Sequence, residues 1–164
     1  MNSHLVTIDI TDTASLLDAC DILHDARCDL STLHVDLDEG VWRARFEREF
    51  TEDPDAMVHE RRLLFFVKST FPMAETELTL TGVKGYRIED NAGIEIFMFD
   101  ECQIESNVAT LLFCEDMKMI LEFDDNPRGR LVDLRLLGKT GSMWTTGVKE
   151  YKERCQQPPR HVRK

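Results

Sequence analysis

The sequence predicts an α+β fold, an antiparallel β-sheet or partly closed β-barrel with an N-terminal helix and a C-terminal helix. Three observations carry that expectation. Between Ala14 and about Arg27 the apolar residues recur at spacings of three and four, the period of an amphipathic helix. From Leu33 the period falls to two, as in a half-buried strand. After residue 60, strand-like segments follow one another through short turn clusters. Such connections suit antiparallel meanders, because parallel crossovers need a dozen or more residues.

Each element has its own signal. Residues 4–10 read as a short strand, ended by the turn-and-cap cluster Thr11-Asp12-Thr13. The helix that follows carries Leu16, Ala19, Cys20, Leu23 and Ala26 on one stripe. Ser15 followed by Asp18 is a capping signal that competes with Thr13. Leu33, Val35 and Leu37 then alternate with His34, Asp36 and Asp38, and Trp42, Ala44 and Phe46 with Arg43, Arg45 and Glu47. With Glu39-Gly40 between them, the two runs predict a hairpin with one wet and one buried face. Residues 51–60 read as a charged connector. Strands are expected over 62–69, 76–89, 94–104, 108–114, 117–123 and 130–137, with turns at Asp90-Asn91-Ala92-Gly93, Glu115-Asp116 and Asn126-Pro127-Arg128-Gly129. A C-terminal helix is expected from Ser142 to about Gln156, with Trp144, Val148, Tyr151 and Cys155 on one face. Gly147 weakens it by about 1 kcal/mol relative to Ala. Residues 1–157 are expected to form one globular domain and 158–164 a disordered basic tail.

The chain has 164 residues, 42% of them hydrophobic, and 20 Lys+Arg against 31 Asp+Glu, a net charge of −11. It is too apolar for a disordered chain, and a chain of this length buries roughly 70% of its unfolded surface. The acidity opposes nucleic acid and anionic membrane surfaces as partners, since both need concentrated basic charge. No basic segment precedes a long apolar run at the N-terminus, and the longest strongly apolar run, Leu63-Leu64-Phe65-Phe66-Val67, is far too short to span a bilayer. Five cysteines without a tight spacing framework predict reduced thiols and a cytoplasmic setting. No cofactor is expected.

Gly138-Lys139-Thr140 has the end of a phosphate-binding loop between an expected strand and an expected helix. The position five residues before Gly138 is Asp133, however, which has the wrong charge and the wrong backbone freedom for that loop. A glycine-containing strand-to-helix turn is the better reading. His34, Asp36 and Asp38 share a strand face and could hold a divalent cation. If Leu37 faces Trp42, though, Asp36 opposes Arg43 and His34 opposes Arg45, which is ordinary cross-strand pairing. No CxxC pair, Gly-x-Ser-x-Gly elbow or His-Glu-x-x-His motif is present. Cys20, Cys102 and Cys114 read as small core residues, and nothing specific favours a pairing such as Cys102 with His59.

Charge is uneven along the chain. Residues 1–39 hold nine acids and one base, so −8 of the −11 lies there. Asp18, Asp21 and Asp25 fall in a narrow arc opposite the apolar stripe, where Asp21 and Asp25 repel as an i, i+4 pair by about 0.2–0.5 kcal/mol. Such a face either solubilises the domain or steers a basic partner.

The stretch LLDACDILHDARCDLSTLHVDLDEGVWRARFEREF, together with Arg61-Arg62 before LLFFV, resembles the helix, hairpin, Arg-Phe-ended strand and paired arginines of a family of small uncharacterised bacterial proteins, a domain of unknown function. The likeness covers about residues 15–125 and does not extend past Thr140. It implies a bacterial cytoplasmic setting and no activity.

The function expected from these features is a non-enzymatic protein-interaction module. Asp18, Asp21 and Asp25 would steer a basic protein partner, and Trp144 and Tyr151 would anchor it. The alternative is a small-molecule-binding protein or hydrolase with a pocket between sheet and helix. A third possibility is a structural subunit that self-associates through a sheet edge.

Overall fold

In the computed structural model, which describes residues 5–52, 57–63, 66–114 and 116–145, the chain is a mostly antiparallel β-sheet with one helix. Strand β1 (Thr7–Ile10) leads into helix α1 (Thr13–Leu23). The N-cap is Asp12, not Thr13 or Ser15. Its carboxylate accepts from the Ser15 backbone at 2.8 Å, and the Ser15 hydroxyl accepts from the Asp12 backbone at 3.1 Å, a reciprocal capping box. Leu16, Ala19, Cys20 and Leu23 form the buried stripe as expected.

The helix ends four residues earlier than its sequence pattern suggests. His24 is extended and Asp25 has φ 65°, a left-handed conformation that Asp tolerates better than most residues. Ala26 is buried, but it lies beyond the helix, and β2 (Arg27–Asp29) begins immediately after it.

After a short 3₁₀ turn (Leu30–Thr32) come β3 (His34–Asp36) and β4 (Val41–Glu49). They pair as His34↔Arg43, Val35↔Trp42 and Asp36↔Val41, which corrects the expected register by two residues. Asp36 decides the matter, because its carboxylate accepts from the backbones of Asp38 (3.1 Å) and Glu39 (3.0 Å) and closes the turn early. Leu37 is thereby left in the turn, 47% exposed.

The remaining strands are β5 (His59–Leu63), β6 (Phe66–Asp90), β7 (Ile96–Glu105), β8 (Val108–Phe113) and β9 (Met117–Thr145). Strands β6 and β9 are each continuous where the sequence suggested breaks, and they pair with one another along most of their length. Irregularities are absorbed as register shifts, one of them at Pro72, which lacks the N–H a regular ladder needs. Asn126-Pro127-Arg128-Gly129 is not a chain reversal. The ladder passes from Val83↔Phe123 to Thr81↔Arg128, so residues 124–127 bulge out opposite Gly82 and the strand resumes in the same direction. Gly129 is needed there, since a Cβ would sit 2.0 Å from the Thr79 carbonyl oxygen.

The C-terminal helix is corrected at its start. Residues 142–145 extend β9 and pair with Val67–Thr70 of β6, while residues 146–156 lie outside the described residues.

Neighbouring strands follow the order β1-β9-β8-β7-β2-β4-β6-β5, with β3 on β4 and a further β9–β6 pairing. The sheet therefore curls back on itself. Its link through β2 is only two or three residues long on either side, and it is not a clear barrel. Trp42, Ala44 and Phe46 point into the core with Leu78, Leu80 and Phe123. Phe46, Phe99 and Phe113 meet edge to face at 6.1 and 5.4 Å, a favoured aromatic geometry. Among the described residues, no helix is long and apolar enough to cross a membrane.

Candidate functional site

Because α1 stops at Leu23, the three acids of the expected arc separate. Asp18 is half-buried on α1, Asp21 is exposed near its end, and Asp25 stands on the left-handed turn beyond it. The i, i+4 repulsion expected between Asp21 and Asp25 is therefore not a helical contact. Asp21 lines a recess of about 230 Å³ at the seam between α1 and β7, with His24, Asp100 and Glu101. The His24 Nδ1 lies 3.1 Å from Asp25, and its Nε2 lies 3.7 Å from Asp100. Acids distant in sequence thus share one surface.

Several other acids of residues 1–39 have structural work. Asp9 pairs with Arg130 at 2.7 Å, Asp12 caps α1, Asp29 caps the 3₁₀ turn at 2.9 Å, and Asp36 closes the hairpin. Trp144 lies in β9 opposite Lys68, placed by its backbone, and Tyr151 lies outside the described residues.

A larger cleft of about 550 Å³ opens where the turn after α1 meets β4 and β9. It is lined by His24, Asp25, Arg27, Glu47, Glu49 and Lys139, with Met73, Met98 and Gly141. The turn is held by backbone hydrogen bonds, Asp25 donating to Phe99 at 2.9 Å and Phe99 to Ala26 at 2.8 Å. Glu47 and Glu49 come from the wetter parity of β4. Lys139 is delivered by a bulge, because Leu137 pairs with Met73 and Thr140 with Pro72, leaving Gly138 and Lys139 unmatched. Its ammonium meets the Glu47 carboxylate at 2.5 Å. Gly138-Lys139-Thr140 is therefore neither a phosphate loop nor a strand-to-helix turn, since the chain stays extended on both sides of it.

Glu49 packs against the backbone of Gly141, where a Cβ would lie 2.6 Å from its Oε1 and 2.7 Å from the Met73 sulfur. Burial, and then the negative charge of Asp25, push the Glu49 carboxyl above the usual carboxylate range. The cleft therefore holds a carboxyl group of raised pKa beside two further acids, Asp25 and Glu47, and two cations, Arg27 and Lys139.

Behind the cleft lies a buried ionic network with no counterpart among the expected site residues. Arg48 is 2% exposed and Asp133 4%. The guanidinium donates to both Asp133 oxygens, at 3.2 and 2.7 Å, and to Glu52 at 2.6 Å. The Thr76 hydroxyl (2.5 Å) and the Val6 backbone (3.0 Å) complete the acceptor sites of Asp133. The signal for Arg48 was in the alternation, because it continues the buried parity of Trp42, Ala44 and Phe46. A charge on the buried parity of a strand requires a buried partner.

Cys20 and Cys102 both line the seam recess. Cys114, expected in the core, is exposed. Among the described residues, no group of three or more His, Cys, Asp and Glu side chains is arranged to hold a metal ion. The His34 strand face is taken up instead by hairpin closure and the His34↔Arg43 pair.

Fold and site together define a β-rich protein with an acidic helix seam and a mixed-charge cleft. The chain matches no protein-family model, no curated protein and no solved structure.

Proposed function

We propose that the chain is a non-enzymatic protein-interaction module that docks a basic protein partner through an acidic face. The observation that carries this reading is the convergence of Asp21 and Asp25 with Asp100 and Glu101 of β7 around one seam. Acids brought together from separate elements create a local negative field, which raises encounter rates with a positive surface. Asp18, Trp144 and Tyr151 complete the contact set in this reading. The setting is a bacterial cytoplasm, in keeping with the resemblance of residues 15–125.

The test is capture of partners from native lysate at low and high salt. Reversal of Asp18, Asp21 and Asp25 to Lys abolishes capture, and Asp100→Lys weakens it. Salt weakens capture by the wild type, because exposed charges are screened within about 10 Å at 0.1 M. Capture unchanged by these reversals overturns the proposal.

One observation favours a second reading, a small-molecule-binding protein or hydrolase. The 550 Å³ cleft falls within the size range of ligand pockets and combines the raised Glu49 with Asp25, Arg27 and Lys139. Such a site suits a small molecule bearing both an amine and a carboxylate. It lies between the sheet and the turn after α1, not under the helix itself. Thermal shift of the full chain against a panel of small zwitterions tests this. A panel without any shift removes it.

A further inference from the structure

We propose that the two clefts flanking Arg27 bind an extended segment of a partner protein. A lysine or arginine side chain enters the larger cleft, and an apolar side chain two residues away enters the smaller. This rests on the reading of a basic protein partner and carries that partner's contact beyond the acidic seam. His24 joins the two regions, since it lines both the seam recess and the larger cleft.

The spacing follows from β7. Ile96 and Met98 alternate with Phe97 and Phe99, which turn into the core, so both stand on the outer face, 48% and 39% exposed. Met98 lines the cleft of about 550 Å³, and Ile96 lines a neighbour of about 360 Å³. Across the ladder on β2, Arg27 opposes Met98 and Asp29 opposes Ile96. Arg27, Glu47 and Lys139 line both clefts and form their shared wall. The clefts therefore repeat at the two-residue step of a strand, roughly 7 Å. An extended chain laid along β7 presents alternate side chains at that same step.

Charge assigns the occupants. In the larger cleft Asp25, Glu47 and Glu49 face Arg27 and Lys139, and Lys139 is already engaged with Glu47. Glu49 is half-buried, and among the described residues no cation within ion-pair range offsets it. Met73 and Met98 supply an apolar wall beside these acids. A lysine or arginine matches the combination, its stem against the methionines and its cation at Asp25 and Glu49. In the smaller cleft the charges are matched among themselves, Arg45 with Glu77 at 3.1 Å and Glu75 at 3.7 Å, and Glu47 with Lys139. The group left uncovered there is Ile96, and covering it with an apolar side chain is favourable.

The experiment measures the fluorescence anisotropy of a labelled peptide, Ser-Lys-Thr-Val-Thr-Lys-Ser, titrated with the full chain at low salt. Its symmetric core offers the Lys-x-Val step in either chain direction. The expected result is saturable binding, weakened at least about tenfold when Glu replaces both lysines and when Ile96→Lys or Met98→Lys places a cation in the groove. Ile96→Thr and Met98→Thr, which keep strand-compatible side chains, weaken it in the same direction and separate lost contact from a folding defect. Free lysine in large excess leaves the peptide bound. No saturable binding, or binding indifferent to the changes at Ile96 and Met98, overturns the proposal. Displacement by free lysine also overturns it and makes the larger cleft a small-molecule site. Lysate capture separates this failure from that of the underlying reading, because neither Asp18 nor Asp21 lines either cleft. Capture lost on reversal of Asp18 and Asp21 but unchanged by Ile96→Lys and Met98→Lys overturns the groove alone. Capture unchanged by both sets overturns both.

Discussion

Arg48 and Asp133, 85 residues apart, face each other inside the sheet through two hydrogen bonds, Nε to Oδ1 at 3.2 Å and Nη2 to Oδ2 at 2.7 Å. Thr76 of β6 lies between them, so one ion pair locks β4, β6 and β9 together. Removing one partner leaves an uncompensated buried charge, at a cost of about 3–5 kcal/mol. Arg48→Met and Asp133→Leu are each expected to destabilise on that scale in urea melts. The double variant is expected to recover part of the loss, because the Arg48 and Asp133 charges go together while Glu52 alone loses its cation. A double variant whose loss equals the sum of the single losses refutes the coupling.

Gly129 and Gly138 separate two uses of glycine in one strand. At Gly129 a Cβ meets the Thr79 carbonyl at 2.0 Å, and backbone yields less readily than a side chain. Gly129→Ala is expected to cost at least about 2 kcal/mol. Gly138 has nothing within 4 Å of the added carbon, so Gly138→Ala stays within about 0.5 kcal/mol of wild type. Paired thermal melts decide both.

Glu49 predicts an acid-side pH dependence. Its folded pKa is raised, so the folded state holds the proton more tightly and stability falls as pH rises from the ordinary carboxylate value through the raised one. Glu49→Gln is expected to raise the melting midpoint at neutral pH and flatten that slope. Asp25→Asn is expected to lower the Glu49 pKa, which carboxyl titration by NMR reads directly.

Asp12 has the opposite sign. The Ser15 backbone and hydroxyl hold its carboxyl below the usual range, so its contribution is present above the unfolded value and lost as pH falls through the folded one. Asp12→Asn keeps an acceptor at the cap and removes this acid-side loss. Asp12→Ala loses helix at every pH, and circular dichroism across the acid range distinguishes the two.

What could be read from the sequence was local. The stripe of α1, the alternation of β4 and the turn at Asp90–Gly93 depend on neighbours within a few residues, and the structure places them as expected. What could not be read was long-range. Asn126-Pro127-Arg128-Gly129 carries every sign of a turn, yet pairing with β6 on both sides pulls it into one strand. Ser142–Thr145 have a helical neighbour pattern but are captured by Val67–Thr70. The alternation also carried an unused clue to the ionic network, since Arg48 stands where Trp42, Ala44 and Phe46 set the parity. Its partner Asp133 could not be found without the β6–β9 register.

The pairing of β1 sets an order on biosynthesis. Thr7–Ile10 pair with residues 129–132 of β9, and that is their only strand partner among the described residues. The N-terminal strand therefore emerges from the ribosome long before the segment that completes it. Until then its backbone groups stay open to water or to the wrong edge, and long-range pairing of this kind is slow to form. Asp9 is well placed to guard that interval. It carries a charge on the waiting strand that discourages stray edge pairing, and Arg130 neutralises it when β9 arrives.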